Sequence, residues 1–183
     1  MKQVEDSEIL AKFAAERTRD EAFNLLLGKY QQKIYWHVRR LVIDHDDADD
    51  LVQDVFIKVW KNLANFRSDS QLYTWIYRIA TNECITFLNH KKQQNNIPLD
   101  EVSYDLADSL VDSPYFDGDA IQLKLQQALL TLPEKQRLVF NMKYYDDLKY
   151  DEISEILGTS VGALKASFHL AVKKVEHYLL NTD

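Results

Sequence analysis

The chain has 183 residues, room for one medium domain or two small ones, and at 46% apolar it has enough to bury a core. With only four Gly and three Pro, and no apolar run near the ~18 residues a bilayer span needs, it reads as helical and not membrane-spanning. A net charge of −7 argues against a protein that grips nucleic acid unaided, and a single cysteine, Cys84, excludes an internal disulfide or a thiolate cluster. The first residues, Met1-Lys2-Gln3-Val4-Glu5-Asp6, lack an apolar signal core, so the expected compartment is the cytoplasm.

In chain order, apolar spacing predicts helices at about 7–15 and 20–41, then a clear one from Ala48 to Leu63. There Ala48, Leu51, Val52, Val55, Phe56, Val59, Trp60 and Leu63 repeat at i, i+3, i+4 and i+7. Asp46, Asp47, Asp49 and Asp50 crowd its start, where the helix dipole favours negative charge. Its polar face carries Asp50, Gln53, Asp54, Lys58, Lys61 and Asn62, either a solvated surface or a docking face. The turn-like Phe66-Arg67-Ser68-Asp69 introduces a further helix, about 70–90. That helix holds Tyr73, Trp75, Tyr77 and Phe87 beside Thr74, Arg78, Thr81, Asn82, Asn89, Lys91 and Lys92. Aromatics next to cations and amides serve unpaired bases as stacking surfaces and backbone charge; the alternative is that all of them are core.

From Gln93 to Asp119 the character changes. This stretch has Pro98, Pro114 and Gly118, seven acids (Asp100, Glu101, Asp105, Asp108, Asp112, Asp117, Asp119) and no Lys or Arg. It reads as an acidic flexible linker, 93–119, with short apolar anchors at Ile97, Leu99, Leu106, Leu110 and Val111. Removing its seven acids from the total of 29 leaves 22, balanced by the 22 bases. The remaining body is neutral, so any DNA binding is expected to need a partner.

Beyond it, helices are expected at about 121–130, from Leu132-Pro133-Glu134 onward, at Tyr150–Leu157, and from Ser160 to about Leu179. Pro133 suits a first turn and Ser160 an N-cap. The turn Gly158-Thr159-Ser160 between the last two gives a helix-turn-helix outline, or a hairpin that merely packs. The second helix would expose Gly162, Ala163, Lys165, Ala166, Ser167, His169 and Lys173. The fold class expected is therefore all-α: two small helical domains, an N-terminal bundle (1–92) and a C-terminal helix-turn-helix domain (120–183), joined by the acidic linker.

These segments, in this order, resemble the extracytoplasmic-function (ECF) subfamily of bacterial sigma-70-type RNA polymerase sigma factors. Asp46-Asp47-Ala48-Asp49-Asp50-Leu51-Val52-Gln53-Asp54-Val55-Phe56-Ile57-Lys58-Val59-Trp60 resembles their polymerase-binding helix. Phe66-Arg67-Ser68-Asp69-Ser70, followed by Tyr73-Thr74-Trp75-Ile76-Tyr77-Arg78-Ile79-Ala80-Thr81-Asn82, is similar to their promoter-melting segment. Leu132-Pro133-Glu134-Lys135-Gln136-Arg137 and Tyr150-Asp151-Glu152-Ile153-Ser154-Glu155-Ile156-Leu157-Gly158 resemble their C-terminal domain. The likeness covers about 20–92 and 120–180.

The resemblance implies a factor that binds core RNA polymerase, directs it to promoters and assists melting, with no catalysis, cofactor, metal or small-molecule substrate. Asp50, Gln53, Asp54 and Lys58 would meet polymerase. Phe66, Arg67, Ser68, Asp69 and Ser70 would capture a flipped minus-ten base, with Tyr73, Trp75, Arg78, Asn82 and Lys91 on DNA nearby. Ser160, Gly162, Ala163, Lys165, Ala166, Ser167 and His169 would face the minus-thirty-five element. Partners would be core polymerase, promoter DNA and an anti-sigma factor. In one respect the chain departs from the pattern. Where relatives usually carry Thr-Val-Lys-Ser-Arg and then His-Arg-Ala-Arg, it has Ala163-Leu164-Lys165-Ala166-Ser167 and then His169-Leu170-Ala171-Val172. Three arginines are missing. Two rivals remain at this level: a dimeric helix-turn-helix regulator binding a palindrome without polymerase, and a helical protein-interaction module.

Enzymatic signatures are lacking: there is no phosphate-binding Gly-rich loop, HExxH or CxxC. His37, His45, His90, His169 and His177 lack metal-ligand spacing, with His169 and His177 expected on the surface. Chain statistics add one expectation about shape. A flexible linker of ~27 residues averages only ~29 Å end to end, whereas promoter elements two helical turns apart lie ~70 Å apart. The free protein should hold its domains too close to meet both.

Overall fold

The computed structural model describes residues 4–95 and 120–182; the acidic linker reading falls largely on 96–119, outside the described residues. Among those described there are eight α-helices and no strand, as the composition implies. They are α1 (Asp6–Ala14), α2 (Arg19–Val42), α3 (His45–Asn62), α4 (Leu72–Asn95), α5 (Ala120–Leu130), α6 (Glu134–Tyr144), α7 (Tyr150–Leu157) and α8 (Val161–Asn181).

Local chemistry sets several ends. α3 starts three residues ahead of the apolar stripe because the Asp44 side chain accepts a hydrogen bond from the Asp47 N–H (2.9 Å), satisfying a donor the first turn leaves open. Asp46 and Asp47 in that first turn add favourable charge at the positive end of the dipole. Pro133 stands at the N-cap of α6, one residue before its first turn, with φ −54° fixed by the ring. α7 stops at Gly158, whose φ of +62° is the left-handed conformation that costs glycine no Cβ clash. Two residues on, the Ser160 hydroxyl accepts from the Ala163 N–H and opens α8, as its type suggested.

α2, α3 and α4 form the N-terminal bundle, with α1 packed along α2. Leu26, Ile34, Val38, Val55, Val59, Ile76 and Ala80 are fully buried at its centre. Phe13, Phe23 and Trp60 interlock edge to face, with centroids 5.3 Å and 5.0 Å from Trp60. In the C-terminal domain Ala128, Leu129, Leu132, Phe140, Ala171 and Val175 make a core between α5, α6 and α8. Apolar packing does not stop at the domain boundary. Leu138, Val139, Met142, Leu148, Ile153, Ile156 and Leu164 join the same cluster as the N-terminal core, α7 lying on α4 and α6 on α2. The two domains are thus closed on one another by apolar packing.

A polar latch sits inside this apolar seam. α6 ends in a tight turn in which Asp147 takes φ +50° and the Asp146 N–H bonds back to the Asn141 carbonyl (3.3 Å). The turn aims Asp146 at α2, where it pairs with Arg40 and lies 3.2 Å from His37 Nδ1. His37 is 0% exposed and the Asp146 side chain 5%. His37 Nε2 reaches the Thr81 hydroxyl of α4 at 2.9 Å. The Thr81 hydroxyl itself donates to the Tyr77 carbonyl at 2.8 Å, carrying the polar chain on into α4. Arg40 also lies over the Tyr145 ring, 4.8 Å from its centroid, and His37 stands 4.6 Å from Tyr77.

Candidate nucleic-acid and polymerase interfaces

The exposed face of α3 is continuous and separate from the seam. Asp50, Gln53, Asp54 and Lys58 are all exposed. Between them lies Ile57, 50% exposed although isoleucine usually buries. It was not singled out in the sequence reading; its signal is an apolar residue lying off the stripe of a strongly amphipathic helix. An acid and amide pair flanking one apolar side chain suits docking on another helix.

Where α3 ends and α4 begins, a groove of about 370 Å³ opens, lined by Lys58, Asn62, Asn65, Trp75, Arg78, Ile79, Asn82 and Glu83. That volume falls in the range of about 300–1,000 Å³ usual for small-ligand clefts. Trp75, Arg78, Ile79, Asn82 and Glu83 recur at three- and four-residue spacing, so one face of α4 forms the wall. Phe66 packs its ring 5.3 Å from Trp75, tying the start of the 66–70 loop to the rim. Arg67, Ser68 and Asp69 are exposed and Ser70 half-buried. Ser68 adopts φ +58°, a conformation uncommon for a residue with a Cβ. Lys58 pairs with Glu83 at 2.5 Å, and the Asn62 amide donates to the Lys58 carbonyl at 2.8 Å. Arg78 makes no ion pair with any described residue and is exposed, so its charge is available. The groove therefore offers an aromatic wall, the exposed Arg78, the Glu83-paired Lys58 and three amides (Asn62, Asn65, Asn82).

Two residues expected at this DNA face lie elsewhere. Tyr73 turns to the opposite side of α4, against Tyr30 and Tyr77 at centroid distances of 5.7 Å and 4.5 Å. Burial, with the negative charge of Asp146 adding to it, pushes its phenol up to about 12. Lys91 is thirteen residues past Arg78, about 20 Å along the helix, and pairs with Asp47 at 2.9 Å. Its ammonium braces the end of α4 against the start of α3. Asn65, Ile79 and Glu83 were missed in the sequence; spacing from Trp75 and Arg78 could have found the last two.

In the C-terminal domain Gly162, Ala163, Lys165, Ala166 and His169 are exposed along α8, and Ser167 is half-buried. Ser160 is occupied as the N-cap. Lys165 holds its ammonium 5.7 Å from the Tyr150 ring centroid. His169 and His177 are exposed, unlike His37. Cys84 is fully buried and burial pushes its thiol up to about 12, so it is not a nucleophile at neutral pH. No described helix is long and apolar enough to cross a membrane.

This arrangement has close counterparts. The family description "Sigma-70 region 2" matches residues 26–94, and "Sigma-70, region 4" matches residues 122–175. The RNA polymerase sigma-H factor of Pseudomonas aeruginosa is 30% identical, over 97% of this chain and 95% of its own length. The ECF RNA polymerase sigma factor SigW of Bacillus subtilis is 32% identical, over 81% of this chain and 84% of its own. In fold, the chain is similar to the sigma factor RpoE of Bartonella quintana, solved in complex with the anti-sigma factor NepR (TM-score 0.72, 22% identity, 89% of this chain, 99% of that one). It is similar too to CnrH in complex with the cytosolic domain of CnrY (TM-score 0.70, 22% identity, 97% of this chain, 99% of that one).

Proposed function

The chain belongs to the extracytoplasmic-function (ECF) family of sigma factors, which bind core RNA polymerase and direct it to promoters, and we propose that the groove between α3 and α4 is where it holds the promoter open. The supporting observation is that Lys58, Trp75, Arg78 and Asn82 share one concave surface, with Phe66 at its rim. An unstacked base of the minus-ten strand would enter between the 66–70 loop and Trp75, which supplies a stacking face. Arg78 would neutralise a flanking phosphate, and Asn82 would pair with a base edge. Melting in this reading is driven by binding energy: contacts to the extruded base offset the few kcal/mol that unstacking costs. No covalent chemistry is involved.

Polymerase would dock on Asp50, Gln53 and Asp54, with Ile57 adding apolar contact. Residues 1–92 would then form the polymerase-binding and melting domain and 120–183 the minus-thirty-five domain, whose α8 reads the upstream element, while the linker expected at 93–119 would begin only after Asn95, where α4 ends. The protein would work in the cytoplasm, beside polymerase and promoter. One fold neighbour is seen with an anti-sigma factor and the other with the cytosolic domain of CnrY, and we include an anti-sigma partner in the reading. The closed seam must then open for both DNA faces to reach elements ~70 Å apart.

Permanganate footprinting of the holoenzyme tests the groove. A protein carrying Arg78→Glu and Asn82→Ala should retain core binding, since both side chains are exposed. Thymines of the minus-ten region should nevertheless lose their reactivity. Wild-type reactivity in that variant would show that the groove does not hold the strand.

A further inference from the structure

The outward face of α8 differs in kind from the groove. Opposite the buried Leu164, Ala171 and Val175, its first three turns present Gly162, Ala163, Ala166, His169 and Leu170. Leu170 is 49% exposed, a large apolar side chain with no burial to explain its position. Ser160 is committed to its N-cap, and Lys165 leans to the flank over Tyr150. No acid occurs between Val161 and Val175, while Lys173 and Lys174 are exposed one turn further on. The face is thus apolar at its centre and cationic beyond, which matches a major groove flanked by phosphates and repels nothing in it.

Base edges in that groove differ in what they offer an apolar residue. Guanine, cytosine and adenine present only hydrogen-bonding groups, which an alanine would leave unpaired. Thymine alone presents a methyl. Resting on the reading that α8 faces the upstream element, we propose that Ala163, Ala166 and Leu170 read that element by packing on thymine 5-methyl groups. Gly162 and the two alanines have so little bulk that the helix can sit deep in the groove and bring those methyls into contact. Specificity here is for A·T steps in one orientation, selected by desolvation of methyls and by the penalty for facing a polar edge with Ala.

Deoxyuridine tests this, since it lacks only the 5-methyl of thymidine and pairs identically. The holoenzyme formed with the full chain would be assayed on a promoter chosen by sequencing transcripts from a library randomised upstream. Replacing each contacted thymine by deoxyuridine should weaken promoter binding about three- to fivefold per methyl, the worth of one buried carbon. In a protein carrying Ala163→Ser and Ala166→Ser the thymine–uracil difference should shrink or vanish. If deoxyuridine changes nothing while scrambling the upstream element still weakens binding, the element is read by other groups and the proposal is overturned, though the assignment of α8 stands. If scrambling also changes nothing, that assignment fails and the proposal with it. A deoxyuridine penalty undiminished in the double variant would overturn the roles of Ala163 and Ala166.

Discussion

The two surfaces proposed to meet DNA are built on opposite principles. The groove of the N-terminal domain is concave, walled by Trp75 and edged by Arg78, Asn82 and Lys58. The face of α8 is convex and carries Gly162, Ala163, Ala166 and Leu170 where charge would be expected. A concave aromatic site rewards a base that has left the stack, and a convex apolar face reads a duplex left intact. On the proposed reading, most of the binding energy would lie with the N-terminal domain, and the upstream contact would be a weaker selector positioned by polymerase.

The largest effect should come from the face that joins the N-terminal domain to polymerase. Gln53→Ala with Asp54→Lys should abolish core binding in a pull-down while leaving the circular dichroism spectrum unchanged, because both lie off the apolar stripe. Wild-type affinity would remove α3 from the interface.

Next in size is the seam that keeps the two surfaces together. Asp146→Ala leaves Arg40 without its buried partner, a change that typically costs about 3–5 kcal/mol. Labels at Asn62 and Lys173 should move from a short, narrow distance distribution to a longer, broader one in the free protein. No change would mean that apolar packing alone closes the domains.

Alkali should loosen the same seam more gently. Burial raises the phenols of Tyr73 and Tyr145 from 10.0 to about 12, so the closed state prefers them neutral. Their contribution is complete below pH 10 and is lost as pH rises from about 10 to about 12. The label distance should therefore lengthen across that window and hold steady from pH 7 to 9; lengthening already in the lower range would point to other groups.

The smallest change sharpens the contrast itself. Ser167→Arg restores a cation to the flank of α8, and one new phosphate contact should steepen the salt dependence of holoenzyme binding by about one unit. Tight, steeply salt-dependent binding by the unsubstituted protein would show that the missing arginines cost nothing.

Much of this was legible in the sequence because it is local. The α3 stripe repeats within a single helix, so its buried side, and with it the exposed Gln53 and Asp54, follows from periodicity. Gly158 and Ser160 mark the helix-turn-helix because their backbone and side-chain preferences act over three residues. The aromatics of α4 were harder. Sequence placed Tyr73, Trp75 and Lys91 in one DNA-facing set, yet they point to the seam, the groove and the base of α3 respectively.

What the sequence determined alone is the set of helices, the Ser160 cap and the order of segments that marks the family, since each arises from contacts within a few residues. Only tertiary structure decided which face of α4 became a groove and that Asp146 would meet His37, 109 residues away. A helix specifies which residues share a side, at 3.6 residues per turn. It does not specify what that side will touch, because crossing geometry is set by the fit of side chains from every helix packed against it.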